Sequence, residues 1–170
     1  FLEQASSLDP EANAPKDMIG NIQNIQILLE ELNILDQGKQ FDAKIAKANE
    51  ILALKPNEPV ALFLRGHGYY YKEDYELAIN DIANAYQLDP ENYWNALYMG
   101  YLYHHFNQNE EAMQFLEQAS SLDPEANAPK DIIENIQNIQ ILLAELNALD
   151  QGKQFDAKIA KANEVLALKP

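Results

Sequence analysis

Three histidines are the side chains best suited to metal or proton chemistry in this chain, and their spacing supports neither. His104 and His105 are adjacent, so on a helix they point about 100° apart, and His67 lies far from both along the sequence. Cysteine is absent, and no histidine pair has chelating spacing, so neither a metal nor a cofactor is expected. The acidic pairs Glu30-Glu31 and Glu110-Glu111 read as ordinary helix-surface charge. Glycine-rich phosphate loops and nucleophile elbows are missing, and no constellation supports an enzyme. The chemistry that remains is recognition. Nine tyrosines, six phenylalanines and one tryptophan supply rings of the kind that concentrate binding energy. Amides at Asn135, Gln137, Asn138 and Gln140, repeated as Asn21, Gln23, Asn24 and Gln26, could bond an extended backbone, although a solvated face is the simpler reading.

Composition narrows the elements that must position these groups. Ala, Leu, Ile, Glu, Gln and Lys are abundant and Thr is absent, which favours helix over strand. A formal charge of −15, with no basic run, repels a phosphate backbone and argues against nucleic acid as a partner. The apolar stretch from Ile25 to Leu29, interrupted by Gln26, is far shorter than the roughly 18 to 20 residues that cross a bilayer, as is every other apolar run, so no membrane span is expected. Without cysteine the redox compartment stays open.

Self-comparison reveals the organisation. Residues 1–56 recur as 115–170, differing where Met18 becomes Ile132, Gly20 becomes Glu134, Glu30 becomes Ala144, Ile34 becomes Ala148 and Ile51 becomes Val165. A shorter period is marked by prolines after apolar stretches, at Pro10, Pro56, Pro90, Pro124 and Pro170. Proline disfavours helix in the residue before it and suits the first turn of the next helix, so each one marks a boundary between helical hairpins.

The residues between those prolines resemble the tetratricopeptide repeat family. Leu62, Gly66, Tyr69, Tyr75, Ala78, Ala85 and Pro90 fall at its signature places, as do Ala96, Gly100, Tyr103, Ala112, Leu116, Ala119 and Pro124 in the following unit. Arg65 and Met99 depart from the usual Leu, Ile82 from an aromatic, and Asn109 from Tyr or Phe. The longer unit carries Lys158 where the family places Ala, and its first helix is lengthened. Ile133, Ile136, Ile139, Leu142, Leu143 and Leu146 give an amphipathic pattern from Pro129 to Leu149, copied over Ala14 to Leu35, with Ile136, Ile139 and Leu143 expected to be buried. Gly152 is expected to close the turn that follows.

The resemblance implies an all-α fold, a right-handed α-solenoid of antiparallel helical hairpins. Residues 1–10 read as a truncated second helix, 11–56 and 125–170 as long repeats, and 57–90 and 91–124 as short ones. Packing would bring Gly66 close to Ala78 and Gly100 close to Ala112. The resemblance also implies a concave groove lined by the first helices. Here it would present Phe63, His67, Tyr70 and Tyr71 from one unit and Trp94, Leu97, Tyr98, Tyr101, His104 and His105 from the next. Phe63, His67, Tyr70, Trp94, Tyr98, Tyr101 and His105 are the expected contacts to a protein or peptide ligand. The Lys, Arg and Asn clamp with which some family members grip a C-terminal carboxylate is not carried, since Arg65 and Lys72 lie off that face. A structural spacer or self-assembling array is the alternative reading. The chain reads as cut from a longer array, so Phe1, Leu2, Ala5 and Leu8 at one end and Ile159, Ala162, Val165 and Leu166 at the other are expected to be bare and to favour head-to-tail self-association.

Overall fold

Eight α-helices and no strand fill the residues that this computed structural model describes, 14–151 and 155–168, with side chains described over 22–36, 38–148 and 157–168. They are α1 (Ala14–Gln37), α2 (Phe41–Leu54), α3 (Pro59–Tyr71), α4 (Tyr75–Leu88), α5 (Tyr93–His105), α6 (Asn109–Leu122), α7 (Ala128–Gln151) and α8 (Phe155–Leu168). The fold is all-α and built from helical hairpins, the class the sequence implied.

The prolines end helices for the reason given above. Lys55, Asp89 and Asp123 each precede a proline, and their backbones leave the helix at ψ 90°, 81° and 90°, closing α2, α4 and α6. Pro59 then opens α3 at a position where the missing N–H costs nothing. Asn92 caps α5 with its side-chain oxygen, accepting from the backbone N–H of Trp94 at 3.0 Å and of Asn95 at 3.3 Å.

In the hairpins α1–α2, α3–α4 and α5–α6 the turn is a Schellman motif held by a residue other than glycine. Lys39, Glu73 and Asn107 have φ of 53°, 64° and 59°. In the second of these turns Glu73 N–H donates to Tyr70 C=O and Asp74 N–H to Tyr69 C=O, and the same pair of bonds recurs around Lys39 and Asn107. Gly152, assigned this role from sequence, lies outside the described residues. In the copy, the turn between α1 and α2 puts Lys39 and not Gly38 in the left-handed region.

The chain divides into two compact units, Phe1–Pro90 and Glu91–Pro170. In the first, α1 packs on α2, α2 on α3 and α3 on α4, and its core gathers Leu32, Ala48, Ile51, Leu52, Ala61, Leu62, Leu64 and Ala85. In the second, α5 packs on α6, α6 on α7 and α7 on α8, burying Leu102, Leu116, Ala119, Ile136 and Ile139 among others. The glycine crossings are tight. A Cβ on Gly66 would lie 3.1 Å from the Ala78 carbonyl oxygen and 2.7 Å from Ile82 Cγ1, and one on Gly100 would lie 2.6 Å from Leu116 Cγ.

The long helix α7 passes Asn138 without a break, yet its apolar stripe is covered only in part. Ile136 and Ile139 are buried, but Leu143, expected with them, is exposed. A 24-residue helix is about 36 Å long, whereas α6, with 14 residues, spans about 21 Å and cannot cover the whole stripe. Of the C-terminal face expected to be bare, Ile159 and Leu166 are exposed, Ala162 is half-buried and Val165 is buried against the expectation. Val165 keeps the burial of Ile51, its counterpart in α2, because it lies on the side of the helix that meets its own hairpin partner. Phe1, Leu2, Ala5 and Leu8 lie outside the described residues.

Candidate functional site

On α5 the spacing of four, three and four residues puts Trp94, Tyr98, Tyr101 and His105 on one side of the helix. They differ in access. Trp94 is 54% exposed and meets the Tyr93 ring edge to face at 5.0 Å. Burial and the nearby Asp123 push the Tyr93 hydroxyl above its ordinary pKa. Tyr98 is only 5% exposed, so it supports the Tyr101 ring at 5.3 Å and offers little surface of its own, contrary to the contact role expected for it. Tyr101 is half-buried and His105 exposed. His104 turns inward and pairs through Nδ1 with Asn109 Oδ1 at 2.9 Å. Because an amide oxygen only accepts, this bond fixes the proton on Nδ1. Leu97 is buried.

The expected contacts on α3 fall into a different environment. Phe63 stacks on His67 at 5.7 Å, His67 meets the edge of Tyr71 at 4.8 Å, Tyr70 packs on Tyr75 at 5.7 Å, and Tyr71 lies flat on Phe41 at 4.9 Å. His67 is also tied into a buried polar cluster. The fully buried Lys44 ammonium donates to Asp36 Oδ1 at 2.6 Å and to His67 Nδ1, while Asp36 Oδ1 and His67 Nδ1 stand 3.0 Å apart. Burial, reinforced by the Lys44 charge and opposed by Asp36, lowers the His67 pKa to about 4. The imidazole is therefore neutral at pH 7, accepts through Nδ1, and meets Asp36 through the shared ammonium and not as an ion pair. Burial also lowers the Lys44 pKa against the pull of Asp36. His67 thus works as an internal hydrogen-bond partner, and the exposed rings of α3 are Tyr71 and the open sides of Phe63 and Tyr70. Sequence reading missed this cluster. The signal was available: Lys44 stands where the short units have Ala78 and Ala112, so a lysine was headed for a helix crossing.

The cations expected to lie off the ligand face are engaged elsewhere. Arg65 holds Asp81 with two bonds, Nε to Oδ2 at 2.6 Å and Nη2 to Oδ1 at 2.7 Å, and reaches Asn49 Oδ1 at 2.7 Å. The Asp81 bond keeps the guanidinium pKa above its ordinary value. Lys72 pairs with Asp42 beside an open depression lined by Lys39, Gln40, Phe41 and Ala43, which contains none of the seven expected contact residues. Among the described residues no group of three or more His, Asp or Glu is placed to hold a metal, and no helix is long and apolar enough to cross a membrane. Of the amide row, Gln137, Asn138, Gln140, Gln23, Asn24 and Gln26 are exposed, Asn135 is half-buried, and the Asn21 side chain lies outside the described residues.

The sequence model of the tetratricopeptide repeat matches residues 69–132. No curated protein sequence matches the chain. Solved structures do. The Arabidopsis OM64 TPR domain superposes with a TM-score of 0.65 at 19% identity, covering 69% of this chain and 98% of that one. The first TPR of Spaghetti (RPAP3), bound to HSP90 peptide SRMEEVD, gives 0.63 at 20% identity over 68% of this chain and 92% of that one. The P58(IPK) TPR domain gives 0.71 at 16% identity over 95% of this chain and 45% of that one. Identities this low speak to fold alone: residues 69–132 match the tetratricopeptide repeat in sequence, and the chain is similar in fold to helical-hairpin domains of that type.

Proposed function

We propose that the chain is a protein-interaction scaffold that takes a peptide or protein segment along the ring-bearing side of α5. The observation that carries this reading is Trp94. Residues 95–100 that follow it are all buried, yet the only tryptophan of the chain stands 54% exposed at the head of the same helix, in line with Tyr101 and His105. A large ring left half in water is held ready for a contact, and rings of this kind dominate the energetics of interfaces.

Structural relatives support the coarser part of the reading, since RPAP3 domains are bound to HSP90 peptide SRMEEVD and HSP70 peptide SGPTIEEVD. The ligand chemistry here differs. Neither α5 nor the ring face of α3 offers a free Lys or Arg, because Arg65 is held by Asp81 and Lys72 by Asp42. An acidic tail would meet a body of formal charge −15 with nothing to neutralise it. An extended apolar or weakly basic segment fits better.

Trp94 is also the probe. Titration of an array of apolar and basic peptides, with SRMEEVD as the acidic control, should change its emission for the former and leave it unchanged for the latter. Trp94→Ala, followed by anisotropy of a labelled peptide, should weaken binding by about 2 kcal/mol while the helical circular dichroism is retained. Peptides that bind the Trp94→Ala chain as well as the parent would defeat the assignment. The near-identity of 1–56 and 115–170 favours a second reading, in which the copies build a spacer and no dedicated ligand exists. An array without a single binder for α5 would leave that reading in place.

A further inference from the structure

Tyr93 and Trp94 are consecutive on α5, so their side chains leave the helix about 100° apart. Their rings meet at 5.0 Å with an interplanar angle of 78°. The pair forms a right-angled corner at the head of the helix, half-buried on the Tyr93 side and open on the Trp94 side. In the hairpin of α5 and α6 the end of the second helix lies beside the start of the first, which brings Asp123, the residue that closes α6, to this corner. Burial raises the Tyr93 hydroxyl pKa and the Asp123 charge adds to it, which shows that the carboxylate stands near that ring. Asp123 Oδ1 accepts from the Glu125 backbone N–H at 3.2 Å, and among the described residues the carboxylate enters no ion pair. Lys130, the next basic residue along the chain, donates instead to the Pro124 carbonyl at 2.6 Å.

The fold does not require rings here. In the preceding short unit Pro59 and Val60 stand in the register of Tyr93 and Trp94, and Asp89 in that of Asp123. Val60 is exposed as Trp94 is, so the second position faces water in both units and packs no core. A valine therefore serves the hairpin at this place, and the tryptophan supplies something that the hairpin does not use. An indole face carries negative electrostatic potential and attracts a cation more strongly than the other aromatic rings do. An apolar group on Trp94 would gain from contact with the ring alone, whereas a cation gains from the ring and from the carboxylate beside it. Among the described residues no Lys or Arg of the chain stands over either ring. The formal charge of −15 draws basic segments toward the body as a whole, and the corner gives one of their side chains a place to rest.

We infer that the corner of Tyr93 and Trp94, with Asp123 at its edge, is a cation site that takes the ammonium or guanidinium group of a Lys or Arg side chain in the bound segment. The inference rests on the reading of α5 as the recognition helix, and it names the chemistry of the residue that meets Trp94.

The probes are Nα-acetyl-lysine amide, Nα-acetyl-arginine amide and the uncharged Nα-acetyl-norleucine amide, titrated at constant ionic strength into the 170-residue chain. Binding is followed by NMR at the Trp94 indole N–H and at the Asn95 backbone N–H. Lysine, arginine or both should bind about fivefold or more tightly than norleucine, and the two titrations tell which cation the corner prefers. Asp123→Asn should weaken the cations about threefold and leave norleucine unchanged. Trp94→Leu keeps an apolar side chain but removes the ring, so the preference for cations, read at Asn95, should vanish. Trp94 is exposed and Asp123 lies outside the helices, so the helical circular dichroism should persist in both variants. Equal affinities for the cations and norleucine overturn the inference, as does a preference that survives Trp94→Leu or cation binding that ignores Asp123→Asn. The peptide array separates this outcome from the wider reading. Peptides that bind α5 equally well after replacement of Lys or Arg by norleucine remove the cation site and leave the recognition helix. A cation preference at Trp94 with no binder in the array keeps the site and defeats the wider reading.

Discussion

Leu52 and Leu166 sit in nearly the same pentapeptide, Glu-Ile-Leu-Ala-Leu against Glu-Val-Leu-Ala-Leu, at the same place in matching helices. Any cost of Leu→Ala that arises from helix propensity is therefore shared and cancels in the comparison. Burial separates them, at 9% exposure for Leu52 within the core of the first unit and 67% for Leu166. Full burial of a leucine is worth about 1.5–3 kcal/mol in transfer alone, and the cavity left by truncation raises the total for Leu→Ala to about 2–5 kcal/mol. Leu52→Ala should thus cost about 3 kcal/mol, and Leu166→Ala, with no cavity to leave, about 0.5 kcal/mol or less. Repeat chains of this kind need not unfold in one step, so urea melts followed by circular dichroism should be paired with amide exchange resolved by helix. The first variant should accelerate exchange over α1 to α3, whereas the second should leave α7 unaffected. Equal costs for the two leucines would refute the argument that tertiary cover, and not local sequence, separates the copies.

Gly100→Ala should destabilise by about 1 kcal/mol, because overpacking against Leu116 Cγ at 2.6 Å outweighs the gain of up to about 1 kcal/mol that alanine brings to a helix interior. Gly38→Ala should be neutral or stabilising by about 0.5 kcal/mol, since its φ is not positive and its nearest neighbour, at 3.1 Å, is the movable amide end of Gln40; thermal melts of the two variants against the parent test both signs. Glu73→Gly should stabilise the chain by about 1 kcal/mol by relieving a left-handed residue at φ 64°, and a lowered denaturation midpoint would show that the Glu73 side chain contributes more than its backbone strain costs. His67 is titrated in the unfolded chain near its ordinary 6.5 but in the folded chain only near 4. Above about pH 6.5 neither state binds the proton, and below it the unfolded chain does so first, so stability falls between pH 6.5 and pH 4 by up to about 3 kcal/mol. His67→Gln should flatten that part of the pH profile measured by urea denaturation, with Lys44 and Asp36 still in place.

Periodicity alone gave the helices, because an apolar residue every three or four positions can be buried only on a helix, and proline ends a helix through clashes within two residues of itself. The glycine crossings at Gly66 and Gly100 were equally legible, since a missing side chain opposite an alanine leaves few other packings. Local rules failed wherever a residue's role depends on what lies across from it. Lys44 and Lys158 have the same neighbours in sequence, yet one is fully buried with an acceptor on α3 and the other is half-buried. His67 reads as a ligand contact by position and becomes an internal acceptor because α2 sets an ammonium against it. Tyr98 and Trp94 lie one turn apart on the same side of α5, but only Trp94 stays open. Residue types and spacing determine which face a helix can bury. Whether that face is buried, and with which partner, is decided by the cover other helices supply, and that cover depends on contacts between segments distant in the chain.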